Sequence, residues 1–214
     1  MREDEKTSSY WEIYYKKEKV TNSRSSFAHF VLINCRNFKN LVDIGCGNGR
    51  DSFFFASHEL NVIGIDNCVT AIEFCEKRTS REKIGNCTFL RSPIADVDVG
   101  EVLDQRGLNA ADSVIYARFF LHAVDEESED IFMRSAAKLV EKGALLCLEF
   151  RTIEDSLRFK FEPSHYRRYI DPRAIAQKAT DLGMQTRFFE EGENLAAHKT
   201  ENPYVARFIF DRGA

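Results

Sequence analysis

No stretch of this 214-residue chain is apolar for long enough to cross a bilayer, and its first residues are mostly polar and charged. The sequence therefore predicts no membrane span, no membrane partner and no secretory signal. A cytoplasmic protein is expected. None of the six cysteines falls in a C-x-x-C pair, so Cys35, Cys46, Cys68, Cys75, Cys87 and Cys147 read as reduced core thiols and no metal site is predicted. Basic charge is not in excess either. The 30 Lys and Arg face 34 Asp and Glu, for a net charge of -4, which argues against a general nucleic-acid surface. Repeats and low-complexity tracts are absent. What is present is 43% hydrophobic content, enough to bury one α/β core.

The patterning divides the chain into an N-terminal helical cap, 1–38, and a core, 39–214. The cap carries Tyr10, Trp11, Ile13, Tyr14 and Tyr15, more aromatic surface than a solvated tail holds, and a second helix is predicted over Ser26–Cys35. Strands and helices then alternate: strands at 40–44, 61–65, 87–91, 113–117 and 144–150, helices at 51–58, 69–78, 97–106 and 126–140. The order predicts a parallel sheet. Asp171-Pro172 opens another helix that Gly183 closes, and strands at 185–189 and 204–211 read as an antiparallel pair at the sheet edge.

The densest signal is Asp43-x-Gly45-x-Gly47-x-Gly49, which follows the first strand, with Asp66 closing the second. Glycines at alternate positions allow a tight turn and close backbone approach by a ligand. A carboxylate at the tip of the second strand is placed to accept two ribose hydroxyls. A dinucleotide fingerprint needs glycine at its sixth position, where this chain has Arg50. Asp43 would also repel a pyrophosphate, while it can help to hold an ammonium. The pattern resembles motif I of the class I S-adenosylmethionine-dependent methyltransferases. That resemblance implies a Rossmann-like sheet of seven strands, mostly parallel with an antiparallel C-terminal strand and helices on both faces. It also implies S-adenosylmethionine as cofactor, S-adenosylhomocysteine as product, and cofactor contacts from Asp43, Gly45, Cys46, Gly47, Asp66, Asn67, Tyr116, Ala117 and Tyr15.

Ligands of such sheets gather at the carboxyl ends of the strands, which selects Arg118 and His122 after the fourth strand and Arg151 after the fifth. A further cluster, His165-Tyr166-Arg167-Arg168-Tyr169, lies in the connection that follows. Guanidinium forks favour an acceptor carrying phosphate or carboxylate, and His122 or His165 could serve as a base for a neutral hydroxyl. Arg118, Arg151, His122 and His165 are the candidate catalytic residues; Tyr14, Tyr166, Arg167 and Arg168 are candidates for the acceptor. Each also has a plain structural role open to it: packing, capping or surface charge.

A narrower resemblance rests on Trp11-x-x-Tyr14-Tyr15, Ser25-Ser26-Phe27-Ala28, the glycine segment through Ser52, Tyr116 to His122, Glu149-Phe150-Arg151 and His165 to Arg168. Together they are similar to small methyltransferases of bacterial cell-surface polysaccharide synthesis. The implied acceptor is a small anionic molecule, a sugar phosphate or related precursor, methylated at oxygen. The alternatives are another small amine, thiol or oxyanion acceptor, or a regulatory subunit that binds cofactor without catalysis. Ser92-Pro93-Ile94-Ala95 stands where such enzymes usually place an acidic residue for adenine, and Asp96 comes late.

Overall fold

The computed structural model describes residues 10–16, 23–158, 166–197 and 201–213. Residues 10–15 are helical (α1). The order thereafter is α2 (Ser26–Asn34), β1 (Asn40–Ile44), α3 (Arg50–Ala56), β2 (Asn61–Asp66), α4 (Val69–Glu82), β3 (Cys87–Arg91), α5 (Val99–Asp104) and β4 (Ser113–Arg118). Then come α6 (Glu126–Glu141), β5 (Leu145–Arg151), α7 (Pro172–Asp181), β6 (Gln185–Gly192) and β7 (Val205–Asp211). The strands form one seven-stranded sheet in the order β3-β2-β1-β4-β5-β7-β6. Only β7 runs against the others, paired antiparallel to β5 and β6. The C-terminal pair is antiparallel as expected, but β7 is inserted inside the sheet and β6 alone takes the edge.

Strand periodicity assigns the two faces. Val42 and Ile44 of β1, with Ile115 and Ala117 of β4, join a core with α5, α6 and α7. Leu41, Val114 and Tyr116 point the other way and pack with Phe27 of α2, Phe53 of α3 and Cys75 of α4. Successive side chains alternate across a strand, so Asp43 must lie on the α3 face. β1 is buried along its whole length, as a strand covered on both faces requires. The helices are punctuated as their sequence suggests: Ser25, Asp98, Asp125 and Asp171 accept hydrogen bonds as N-caps of α2, α5, α6 and α7. All six cysteines are free and buried. Among the described residues no helix is long and apolar enough to cross a membrane.

Candidate functional site

Gly45, Gly47 and Gly49 all have positive φ, between 54° and 71°, which side chains other than glycine rarely adopt. The turn is pinned at its start, where the amides of Gly45 and Cys46 donate to the Ile65 carbonyl at 2.8 and 3.1 Å. Asp66, half-buried at the tip of β2, accepts from the Gly47 amide and the Cys68 amide, each at 2.8 Å. Burial raises its pKa, although these backbone donors oppose the shift. Asp43 is 3% exposed and accepts from the Ser52 hydroxyl at 2.5 Å. Burial, aided by Asp51 and Asp66 and opposed by Ser52, lifts it to about 7. Asp51 at the start of α3 and Asp43 bonded to Ser52 already occupy the positive end of this helix dipole, which leaves it poorly suited to a pyrophosphate. Cys46 lies in the same turn, its thiol buried and held protonated by that burial; Asn67 is exposed beside Asp66.

α1 covers this turn. A Cβ on Gly47 would come within 2.1 Å of the Tyr15 hydroxyl and 2.8 Å of its ring, so the phenol lies directly on the glycine backbone. Burial, then the neighbouring Asp66, push the Tyr15 pKa well above the usual phenol range; it stays a hydroxyl. Tyr14 stands edge-on to Tyr15 with ring centroids 5.1 Å apart.

A second buried carboxylate, which the sequence did not single out, holds the layer below. Asp51 accepts from the Ser25 amide and hydroxyl at 2.7 Å each, and from the Tyr116 hydroxyl at 2.8 Å. The Tyr116 ring stacks on Phe27, 5.1 Å between centroids, and the residue is fully buried. Tyr116 therefore joins α2 and α3 to β4 and presents no surface to a cofactor. Ala117, 1% exposed, is buried in the opposite core and presents none either. The surface at this end of β4 belongs to the next residues. Phe120 packs on Gly45, where an added Cβ would meet its ring at 2.9 Å.

Arg118 and Arg151 do come together. Both guanidinium carbons lie over the ring of Phe119, at 4.2 and 5.3 Å from its centroid, and His122 lies 5.1 Å from the same ring. Phe119 has φ of 56°, a conformation costly for an aromatic residue and frequent at functional positions. Carboxylates that sequence reasoning did not weigh engage the arginines. Glu149, 1% exposed, accepts from Nε of Arg118 and from Nε of Arg207, both at 2.8 Å. The three residues occupy one rung across β4, β5 and β7. Arg151 donates through Nη1 to Asp155 at 2.7 Å and through Nη2 to Glu201 at 2.5 Å. Arg118 differs: among the described residues only Glu149 hydrogen-bonds to it, through Nε.

The connection after β5 supplies the remaining candidates. Tyr166, Arg167 and Arg168 are half-buried. Arg168 turns away from Arg118 to pair with Glu129 of α6, which also binds Lys178 of α7. Its role is to tie this connection to the helices. His165 lies outside the described residues. Asp96 is exposed in a short 3-10 turn, Ile94–Asp96. Among the described residues no cluster of three or more His, Cys, Asp or Glu is arranged to hold a metal.

Residues 37–180 match the family described as a methyltransferase domain. Over 95 residues the chain is 28% identical to a probable S-adenosylmethionine-dependent methyltransferase, CRG1, of Saccharomyces cerevisiae, an alignment spanning 42% of this chain and 33% of that protein. The chain thus spans about a third of the length of that relative. Among solved structures, a SAM-dependent methyltransferase from Anabaena variabilis superposes with a TM-score of 0.75 at 16% identity, over 99% of this chain and 95% of the other. The glycopeptide N-methyltransferase MtfA, complexed with S-adenosylmethionine, gives 0.68 at 12% identity over 89% and 95%. A TehB-like methyltransferase from Corynebacterium glutamicum gives 0.66 at 10% identity over 97% and 98%.

Proposed function

The chain belongs to the methyltransferase-domain family; from that premise we propose that it is an S-adenosylmethionine-dependent enzyme that transfers a methyl group to an oxygen of a small anionic acceptor. The cofactor would be held by Asp66 at its ribose, by the backbone of Gly45, Cys46 and Gly47, and by Asp43 at its ammonium, with Asn67 and Tyr15 beside it. When bound it supplies an electrophilic methyl group. The protein's task is then alignment of donor and acceptor and exclusion of water.

The observation that carries the acceptor class is the Arg118 fork. Glu149 takes its Nε, Phe119 supports its plane, and its Nη edge has no hydrogen-bond partner among the described residues. Such an edge suits a phosphate or carboxylate bidentately. Arg151 is already held by Asp155 and Glu201, which supports a role in shaping the wall rather than binding the anion. Tyr14, Tyr166 and Arg167 would border the acceptor. The likeness of several segments to enzymes of cell-surface polysaccharide synthesis makes phosphorylated sugar precursors the first compounds to screen, and a cytoplasmic location accords with such a substrate.

Calorimetric titration of S-adenosylhomocysteine into wild type and Asp66→Ala tests the cofactor half. A charge-assisted hydrogen bond contributes about 1.5 to 3 kcal/mol, so the variant should bind at least about tenfold more weakly. Equal affinity would remove Asp66 from the cofactor site. For the acceptor half, Arg118→Gln should raise KM for an anionic acceptor while leaving S-adenosylhomocysteine affinity unchanged. An unchanged KM would remove the fork from acceptor recognition.

A further inference from the structure

α4 is 14 residues long and starts without a cap of its own, because the Cys68 side chain at the N-cap position makes no capping hydrogen bond and instead meets the Glu12 carboxylate. Its first donors are met from another part of the chain. Glu12 of α1 accepts from the Val69 amide at 2.7 Å, from the Thr70 amide at 3.2 Å and from the Thr70 hydroxyl. A carboxylate is the favoured partner for a helix N-terminus. Burial opposes ionisation of Glu12, but the bonds from Thr70 and Val69 prevail and hold its carboxyl below the usual range.

Glu12 and Tyr15 are three residues apart, so one face of α1 carries both. That face sets Tyr15 on Gly47 while Glu12 grips α4. A ligand approaching the backbone of Gly47 meets the phenol first. None of residues 10–16 is fully buried. A short terminal element whose residues are only partly buried opens at lower cost than the core of the sheet.

We propose that α1 is a gate over the cofactor turn and that Glu12 is its latch: cofactor enters and product leaves when the Glu12 to Thr70 contact breaks and Tyr15 lifts from Gly47. The proposal rests on the reading that S-adenosylmethionine occupies the glycine turn, and it assigns a positioning role to Glu12.

The chain supplies its own reporter. Trp11 is the one tryptophan, and it lies on the gate against Tyr14 and Tyr15, at 5.5 and 6.0 Å between ring centroids. In stopped-flow mixing with S-adenosylhomocysteine, Trp11 emission should change at a rate that saturates with ligand, the plateau being the opening rate. Glu12→Ala should raise both the plateau and the dissociation rate about tenfold or more, the loss of charge-assisted bonds from the closed state. Thr70→Val weakens the latch from the α4 side without altering α1 and should move both rates the same way by a smaller factor. Glu12→Gln keeps an acceptor oxygen and should fall between wild type and Glu12→Ala. Unchanged rates in both Glu12→Ala and Thr70→Val, or Trp11 emission silent to a ligand that calorimetry shows to bind, would overturn the gate and leave the cofactor reading standing. No calorimetric binding to the wild type would overturn both.

Discussion

The backbone amide of Arg151 donates to Nδ1 of His122 across 3.2 Å. The His122 carbonyl in turn accepts from the Arg168 amide at 2.8 Å, so one histidine joins the turn after β4, the end of β5 and the connection that carries Tyr166 to Arg168. An accepting Nδ1 requires a neutral ring with its proton on Nε2. Such a ring donates. The base role that the sequence suggested for His122 does not fit that hydrogen bonding. His122→Asn, whose amide oxygen can replace Nδ1, should melt near wild type and keep methyl transfer within about tenfold, whereas His122→Ala should lose about 1–3 kcal/mol of stability. A fall of more than about a hundredfold in His122→Asn, with loss of one limb of the pH profile, would restore general-base catalysis.

Glu149 is the sole carboxylate between two guanidinium groups on its rung. Removing one partner of a buried ionic group leaves uncompensated charge, at a cost of about 3–5 kcal/mol. Glu149→Ala should therefore lower the unfolding free energy by that amount, read as a lower denaturation midpoint at unchanged slope. It should also release Arg118, seen as weaker discrimination among anionic acceptors. A variant as stable as wild type would mean that solvent reaches this rung.

Asp43 makes stability and cofactor affinity respond oppositely to pH. Its folded-state pKa lies near 7 against an ordinary 3.8, so between those values the folded chain retains a proton that the unfolded chain has released. Stability falls as pH rises through that window. Asp43→Asn should remove the dependence and be more stable than wild type at pH 8, by on the order of 2–4 kcal/mol. Affinity for the ammonium of S-adenosylhomocysteine should rise through pH 7 in wild type and stay flat in the variant. Chemical denaturation at pH 5 and 8, paired with calorimetry, reads both; a wild type with no such slope would place Asp43 in contact with water.

The elements were legible because local signals agreed. β1 and β3 fall at Asn40–Ile44 and Cys87–Arg91 as the alternation of apolar runs and turns indicates, and Asp171-Pro172 caps α7. The glycine turn was legible because a positive φ leaves its mark on composition. Partnership was not. That Tyr116 serves Asp51, and that Arg118 and Arg151 arrive with Glu149, Asp155 and Glu201, depends on register between strands far apart in sequence. Glu12 is the extreme case: it lies 57 residues from the helix it caps, and nothing in its neighbours signals that duty. A carboxylate near the start of its own helix looks the same whether it caps that helix or another.

The late strand β7 has a consequence for biogenesis. Arg207 completes the rung with Glu149 and also donates through Nη2 to the Ser26 hydroxyl at 2.9 Å, 181 residues away. Contacts of such separation form late, after loop closure has been met elsewhere. A nascent chain can pair β1 to β5 as they emerge, yet until Val205–Asp211 have left the ribosome β5 stays an open edge and Glu149 lacks one of its two cations. The polypeptide therefore passes through a stage with most of its sheet and an unfinished acceptor wall, when an unprotected edge favours capture by chaperones or by another copy.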